Sequence, residues 1–255
     1  MRLTDKYTTE LSQGTGLINE TLSLLPHYKQ GMSVKEMEKY VIDNGILPSC
    51  TPTRINHIVD KVFFNRFVKP NPQIPSWLLS VRKKGLMLDE FSQIAMIYCA
   101  RVHRVYYDFI IEVLNPLRLQ QVRRFQRDEA DRFMVEIVKR GDAKWSDTMQ
   151  HKNATYLRNT LSAFGQSNAK CEVLPYKVND FTVLYLLHEL HFSGVSDNGI
   201  INDSDWQVLG MSKVDVISRI MDLSLKGGYI AQYSGEFMTI SWNHKSMEEF
   251  IDATL

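Results

Sequence analysis

The side chains that could do catalytic or metal chemistry are few, and their spacing does not suit it. His188-Glu189-Leu190-His191 puts two imidazoles within one helical turn, an arrangement that could grip zinc. A zinc-peptidase helix needs its histidines four apart with the intervening glutamate as base; these are three apart and no third ligand is nearby. Packing of one helix on a neighbour accounts for them better, so neither a metal nor another cofactor is expected. Ser80-Val81-Arg82-Lys83 has the spacing of a serine nucleophile and a lysine base, but the partner motifs of that acyl transfer are missing, and a basic surface turn is the simpler reading. Gly14-Thr15-Gly16 lacks the preceding strand and third glycine of a dinucleotide loop. No nucleophile elbow, paired-acid signature or nuclease cluster stands out. The expectation is a chain with no catalytic residues.

A different chemistry fits better. Binding a duplex without a cofactor needs Lys and Arg to displace counterions, and a rigid helix carrying Arg, Asn or Lys to reach base edges. Residues 144 to 159 offer Lys144, Lys152, Asn153, Thr155, Arg158 and Asn159, with Arg54, Arg123 and Arg124 as further cations. The net charge of +1 hides an uneven distribution. Residues 82 to 158 hold fifteen Lys/Arg against ten Asp/Glu, a local +5; residues 171 to 255 hold five against twelve, a local −7. The middle of the chain attracts phosphate and the end repels it, although charge runs also arise as plain solvated helix faces. Double-stranded DNA is the expected partner, with RNA left open.

The elements that must carry these residues are mostly helical. A 44% hydrophobic content over 255 residues can fill one large core or several small ones. Cys50, Cys99 and Cys171 are too scattered for a zinc ribbon or a disulfide framework, which suits a reducing, cytoplasmic setting. The longest apolar run, from Ile94 to Ala100, falls far below the ~20 residues needed to cross a bilayer, so no membrane segment is expected. Helices are predicted over roughly Gly16 to Leu25, from Ser33 with Glu36 completing a capping box, and from Thr51 with Pro52 in the first turn. In the last of these Ile55, Val59, Val62 and Phe63 share one face, leaving Arg54, Asn56, Lys61 and Arg66 for others. Asp89 to Gln121 predicts a central buried helix or helix pair, with Arg101, His103 and Arg104 on a wet face.

Beyond a boundary near Asp128 the order changes. Ala130 to Lys139, a short segment from Trp145 to Gln150, Lys152 to Phe164 and a strand from Cys171 to Leu174 suggest a winged-helix-like module. The last segment repeats the plan: Asn179 caps a helix, a short helix spans Asp203 to Leu209, and Ser212 caps another that stops at Gly227-Gly228. Two alternating strands then flank Ser234-Gly235-Glu236, a three-helix unit closed by a hairpin. The predicted fold is mainly α, with a helical domain over 1–127, a winged-helix-like module over 128–176 and a C-terminal winged-helix module over 177–255. The helix starting at Ser212 carries Asp215 and Asp222 beside Lys213 and Arg219, so its acids would face phosphate, and that module suits protein contacts or architecture.

With these elements placed, the chain resembles the BrxA family of bacterial BREX phage-resistance loci. The resemblance rests on Tyr7-Thr8-Thr9, Gly16-Leu17 and Glu20, the aromatic helix from Tyr98 through Val113, and Trp145, Thr148, Leu157-Arg158 and Leu161. It implies a small DNA-binding accessory acting beside a methyltransferase and an ATPase, and an N-terminal body similar to that of NusB. It fixes no individual contact residues. Two other roles stay open: an assembly adaptor for the methyltransferase or ATPase, and an RNA-binding or transcriptional regulator.

Overall fold

A computed structural model describes residues 4–254. In chain order the helices are α1 (Ile18–Leu24), α2 (Val34–Asp43), α3 (Pro52–His57), α4 (Ile74–Lys83), α5 (Leu88–Val102), α6 (Arg104–Phe109), α7 (Asn115–Leu119), α8 (Arg127–Lys139), α9 (Asp147–Ala163), α10 (Asp180–Phe192), α11 (Asp197–Ile200), α12 (Asp205–Val208), α13 (Lys213–Asp222) and α14 (Met247–Thr254). Strands β1 (Tyr229–Tyr233) and β2 (Met238–Trp242) form one antiparallel hairpin, and the fold is mainly α with that single small sheet. Among the described residues no helix is long and apolar enough to cross a membrane.

The described residues divide into two compact units, not three consecutive ones. Of these residues an N-terminal unit takes 4–75 with 98–176, and a C-terminal unit takes 76–97 with 177–254. One boundary between the units falls at Tyr176–Lys177. No boundary falls near Asp128, because α8 and α9 pack within the N-terminal unit.

In the N-terminal unit the expected caps form. Ser33 and Glu36 close a reciprocal capping box at the start of α2, and the Thr51 hydroxyl accepts from the Arg54 N–H at the start of α3. The helix of α3 then continues as π-helix over Ile58–Val68, a rare geometry that changes which residues share a face. Arg66 is consequently buried at 1% exposure and not on an outer face. Its guanidinium donates to the carbonyls of Gly14 (2.5 Å), Thr15 (2.8 Å) and Gly16 (3.1 Å). A side chain at Gly16 would meet the Ala163 Cβ at 2.6 Å, so this glycine lets the loop lie against α9. The glycine pair therefore belongs to close packing. Tyr7 is anchored too, donating to the Asp108 carboxylate at 2.6 Å beneath the Arg104 guanidinium.

The long apolar stretch is a helix pair broken at His103, whose backbone leaves the helical region (φ −122, ψ 90) between α5 and α6. The expectation of a wet face there is overturned, since Arg101 and His103 are both buried. Helical period alone assigned these two to solvent; the break and the crowding of neighbouring elements enclose them. Burial holds the His103 imidazole well below its ordinary pKa, so it stays neutral.

The segment expected as a middle winged-helix module has two helices. Trp145 to Gln150 is not a separate element: Ser146 caps α9 by accepting from the Met149 N–H, and nothing in the following seventeen residues breaks the helix. The strand at Cys171 to Leu174 is reduced to isolated bridges, Arg124 with Glu172 and Ser167 with Val173.

In the C-terminal unit α10 is buried on all sides from Phe181 to Leu190 and forms the core. The Gln93 side chain, on α5, donates to the Lys177 carbonyl (2.8 Å) and accepts from the Asn179 N–H (3.0 Å), which ties the start of α10 to α5. The basic turn expected at Ser80 to Lys83 is the last turn of α4. Helix α13 stops at Asp222, ahead of Gly227-Gly228, and Leu225 (φ 72) joins Gly228 (φ 76) in the left-handed region there. The hairpin pairs Tyr229 with Trp242 and Tyr233 with Met238, and Gly235 supplies the expected positive φ at its tip. Its outer edge is covered. Asp197 accepts from the Ile240 N–H and Asn198 from the Met238 N–H, both at 2.8 Å, which satisfies donors that an open edge strand would expose. His188 acts as a flat core ring stacked on Phe250 (3.9 Å), and the half-buried His191 stacks on Trp242 (3.8 Å).

Candidate nucleic-acid interface

Helix α9 presents polar residues on two flanks of its buried stripe. Ala154, Leu157 and Leu161 face the core; His151, Thr155, Arg158, Asn159 and Ser162 recur at helical spacing on the flank beside α8. Between the two helices lies a cleft of about 520 Å³, walled on the α8 side by Arg127, Asp128 and Asp131 and floored by Asn168, Ala169 and Cys171. That volume lies within the ~300–1,000 Å³ usual for ligand sites.

Asp131 organises the cleft. It accepts from Arg158 Nη1 at 2.9 Å and faces His151 Nδ1 at 2.8 Å. Arg158 also donates to the Arg127 carbonyl and the Thr155 hydroxyl, both at 3.0 Å. Its guanidinium is thus fixed in direction and partly neutralised. Rigid, preoriented donors cost little ordering entropy when a phosphate arrives, but the Asp131 carboxylate lowers what Arg158 alone can contribute.

The unneutralised charge sits next to this cleft. The Arg123–Arg124 segment lies against the return segment at Cys171 to Val173: the Phe125 N–H donates to the Cys171 carbonyl and the Val173 N–H to that of Arg123. Arg124 spends its Nε on the Lys170 carbonyl (2.9 Å) and is itself an exposed residue. Arg123, Arg127 and Lys170 are exposed as well.

The structure therefore brings Thr155, Arg158, Asn159, Arg123 and Arg124 into one neighbourhood. Lys144 is exposed ahead of α9 and outside the cleft lining. Lys152 and Asn153 lie on the opposite flank of α9, where they line a smaller groove. Arg54 is half-buried and donates to the Gln13 carbonyl at 2.5 Å, holding the N-terminal loop instead of facing a ligand. Arg127, Asp131, His151, Asn168 and Lys170 escaped the sequence reading. The polar stripe Arg127-Asp128-Asp131 on α8 was visible, but nothing in the sequence said that it faces α9.

A family model for BrxA matches residues 5–173. The chain belongs to the BrxA family. The match ends two residues past Cys171, so it contains α8, α9 and the whole lining of the cleft. BrxA membership places the chain among the proteins of BREX phage-defence systems. The crystal structure of an uncharacterized protein from Magnetospirillum magneticum has a similar fold, with a TM-score of 0.60 and 12% identity over 80% of this chain and 98% of that one. At that identity the likeness speaks for the fold alone. No curated protein matches.

Proposed function

We propose that this BrxA-family chain is a non-catalytic, cytoplasmic accessory that binds duplex DNA through the α8–α9 face. The observation that carries the reading is the gathering of exposed Arg123, Arg124 and Lys170 beside a cleft that Arg127 lines and whose wall already fixes Arg158. Exposed cations supply counterion release, the oriented Arg158 guanidinium supplies directional hydrogen bonds, and the exposed Asn159 amide is free to add its own. The test is fluorescence anisotropy with a random-sequence duplex over a salt series. Wild type should lose affinity steeply, with log K falling by about 0.9 per phosphate neutralised for each tenfold rise in salt. Arg123→Glu/Arg124→Glu/Arg127→Glu should weaken binding by about a hundredfold and flatten that slope. Unchanged affinity in the triple variant defeats the assignment.

A second reading has its own observation. The C-terminal unit, winged-helix-like in element order and acidic in charge, exposes Val214, Leu225, Ile230 and Phe237. Such residues suit docking onto a larger partner, and in a BREX system a methyltransferase or ATPase is the natural one. Co-purification of either enzyme with the full chain, lost in Val214→Lys/Phe237→Lys but kept in the arginine triple variant, would support it; co-purification unaffected by both variants would not.

A further inference from the structure

The other flank of α9 carries a groove of a different kind. Met149, Lys152, Asn153 and Tyr156 recur at i, i+3, i+4 and i+7, and with Thr9 and Ser12 they line a depression of about 260 Å³. The short helix Glu10–Gln13 forms its second wall. The polar groups of the lining are an ammonium, an amide, a phenol and two hydroxyls, each able to donate, with no carboxylate among them. Asn153 gives the groove its meaning. Its side chain is 4% exposed, and its Nδ2 is closed to bulk solvent without any hydrogen-bond partner. An unpaired buried amide donor costs about 1–3 kcal/mol, a penalty removed if an acceptor enters from outside.

We propose that this groove seats one phosphoryl group of a nucleic-acid backbone. Lys152 contributes charge at the rim and the Thr9 and Ser12 hydroxyls donate from the wall, while Asn153, whose Nδ2 is closed off in the free chain, adds its N–H groups once its side chain turns towards the ligand. Its volume lies below the ~300–1,000 Å³ of pockets that enclose whole small molecules, so it suits a single phosphodiester in a longer strand. The proposal rests on the nucleic-acid reading above and adds to it. The strand is held on both flanks of α9, at the arginine-rimmed cleft and at Lys152–Asn153, with Thr155 and Asn159 between them.

Two variants of the full chain test this, each measured for duplex affinity over a salt series and for melting temperature. Lys152→Glu lies at an exposed position and leaves folding intact; it should bind about tenfold more weakly, with the salt slope smaller by about one. Asn153→Asp keeps size and shape while placing a carboxylate on the groove floor, and should lose at least as much. In parallel, the Asn153 side-chain amide resonances are followed by nitrogen-edited NMR as inorganic phosphate is added. Weaker duplex binding with a reduced slope in both variants supports the proposal. Wild-type affinity in both, with phosphate still shifting the Asn153 amide, would reassign the groove to a free phosphoryl compound and overturn the backbone assignment. Wild-type affinity with no shift ends both versions. If the wild-type chain binds no duplex at all, the function proposed above fails by itself, and the phosphate titration alone then decides whether the groove is a phosphoryl site.

Discussion

Helix α9 in the N-terminal unit and helix α13 in the C-terminal unit begin alike, each with a serine whose hydroxyl accepts from the backbone N–H three residues on. What they do with charge differs. On α13, Asp215 is bound into the cap at Ser212, and Arg219 is held by the Asp180 carboxylate at 2.6 Å and the Val178 carbonyl at 3.2 Å. That leaves Lys213 as the exposed cation of that helix without a salt bridge among the described residues. Around α9 one arginine is neutralised in the same way, Arg158 by Asp131, but Arg123, Arg127, Lys170 and Lys152 surround it with exposed charge. Two helices of similar local chemistry thus end with different capacities for phosphate. The difference lies in the neighbouring segments more than in the helices.

The largest expected effect separates the units by acid. His188 is buried among Phe250, Tyr229 and Trp242, and desolvation pushes its pKa down to about 4 from 6.5. The unfolded chain takes up a proton below pH 6.5 and the folded one does not. Stability is therefore full above pH 6.5 and declines as pH falls towards 4, by up to about 3 kcal/mol for this group. Three of the four tryptophans, Trp77, Trp206 and Trp242, belong to the C-terminal unit and only Trp145 to the N-terminal one, so most of the tryptophan emission should report the loss, and His188→Phe should blunt it. His103 lies in the N-terminal unit, its pKa is depressed in the same direction, and it should still titrate in that variant. An emission-detected acid midpoint that His188→Phe leaves in place would dissolve this contrast.

Next in size is the charge contrast. Lys213→Glu/Lys226→Glu in the C-terminal unit should change duplex affinity by less than about twofold, against the roughly hundredfold loss expected for the arginine triple variant. Equal losses from the two sets would move the interface to both units. Asp131→Ala sharpens the picture within the N-terminal unit. It frees Arg158 and His151 from their carboxylate, so duplex binding should tighten about threefold while melting falls slightly, since the pair is partly exposed. Weaker binding would mean that fixing the guanidinium matters more than freeing its charge. The smallest effect belongs to Arg219→Gln. Its carboxylate partner is 65% exposed, so stability should drop by under about 1 kcal/mol with duplex affinity unmoved. A measurable loss of affinity there would give α13 a role in contact.

Much of this could be read from the residues in order. Caps at Ser33, Thr51 and Ser212, the hairpin around Gly235 and the aromatic run at Tyr98 are local signals, and local signals are carried by neighbouring residues. The misreadings share a cause. Arg66, Arg101 and His103 were assigned to solvent because charged side chains usually go there; a π-helical stretch and a helix break turned them inward. Of the candidate cations, Arg54 was legible as a cation and illegible as a strut, because its acceptor, the Gln13 carbonyl, lies 41 residues away.

By itself the sequence determined the helical class, the places where helices start, the C-terminal hairpin and the concentration of positive charge in the middle of the chain. These follow from propensity, capping and composition, which act over a few residues or need no geometry at all. The tertiary structure alone decided which cations stay available. Asp131 meets Arg158 across two helices and Arg124 meets Lys170 across a paired segment, while Asn153 lies at a groove whose far wall is the N-terminal turn. Each of these outcomes depends on a partner distant in sequence, and long-range packing sets which partners meet.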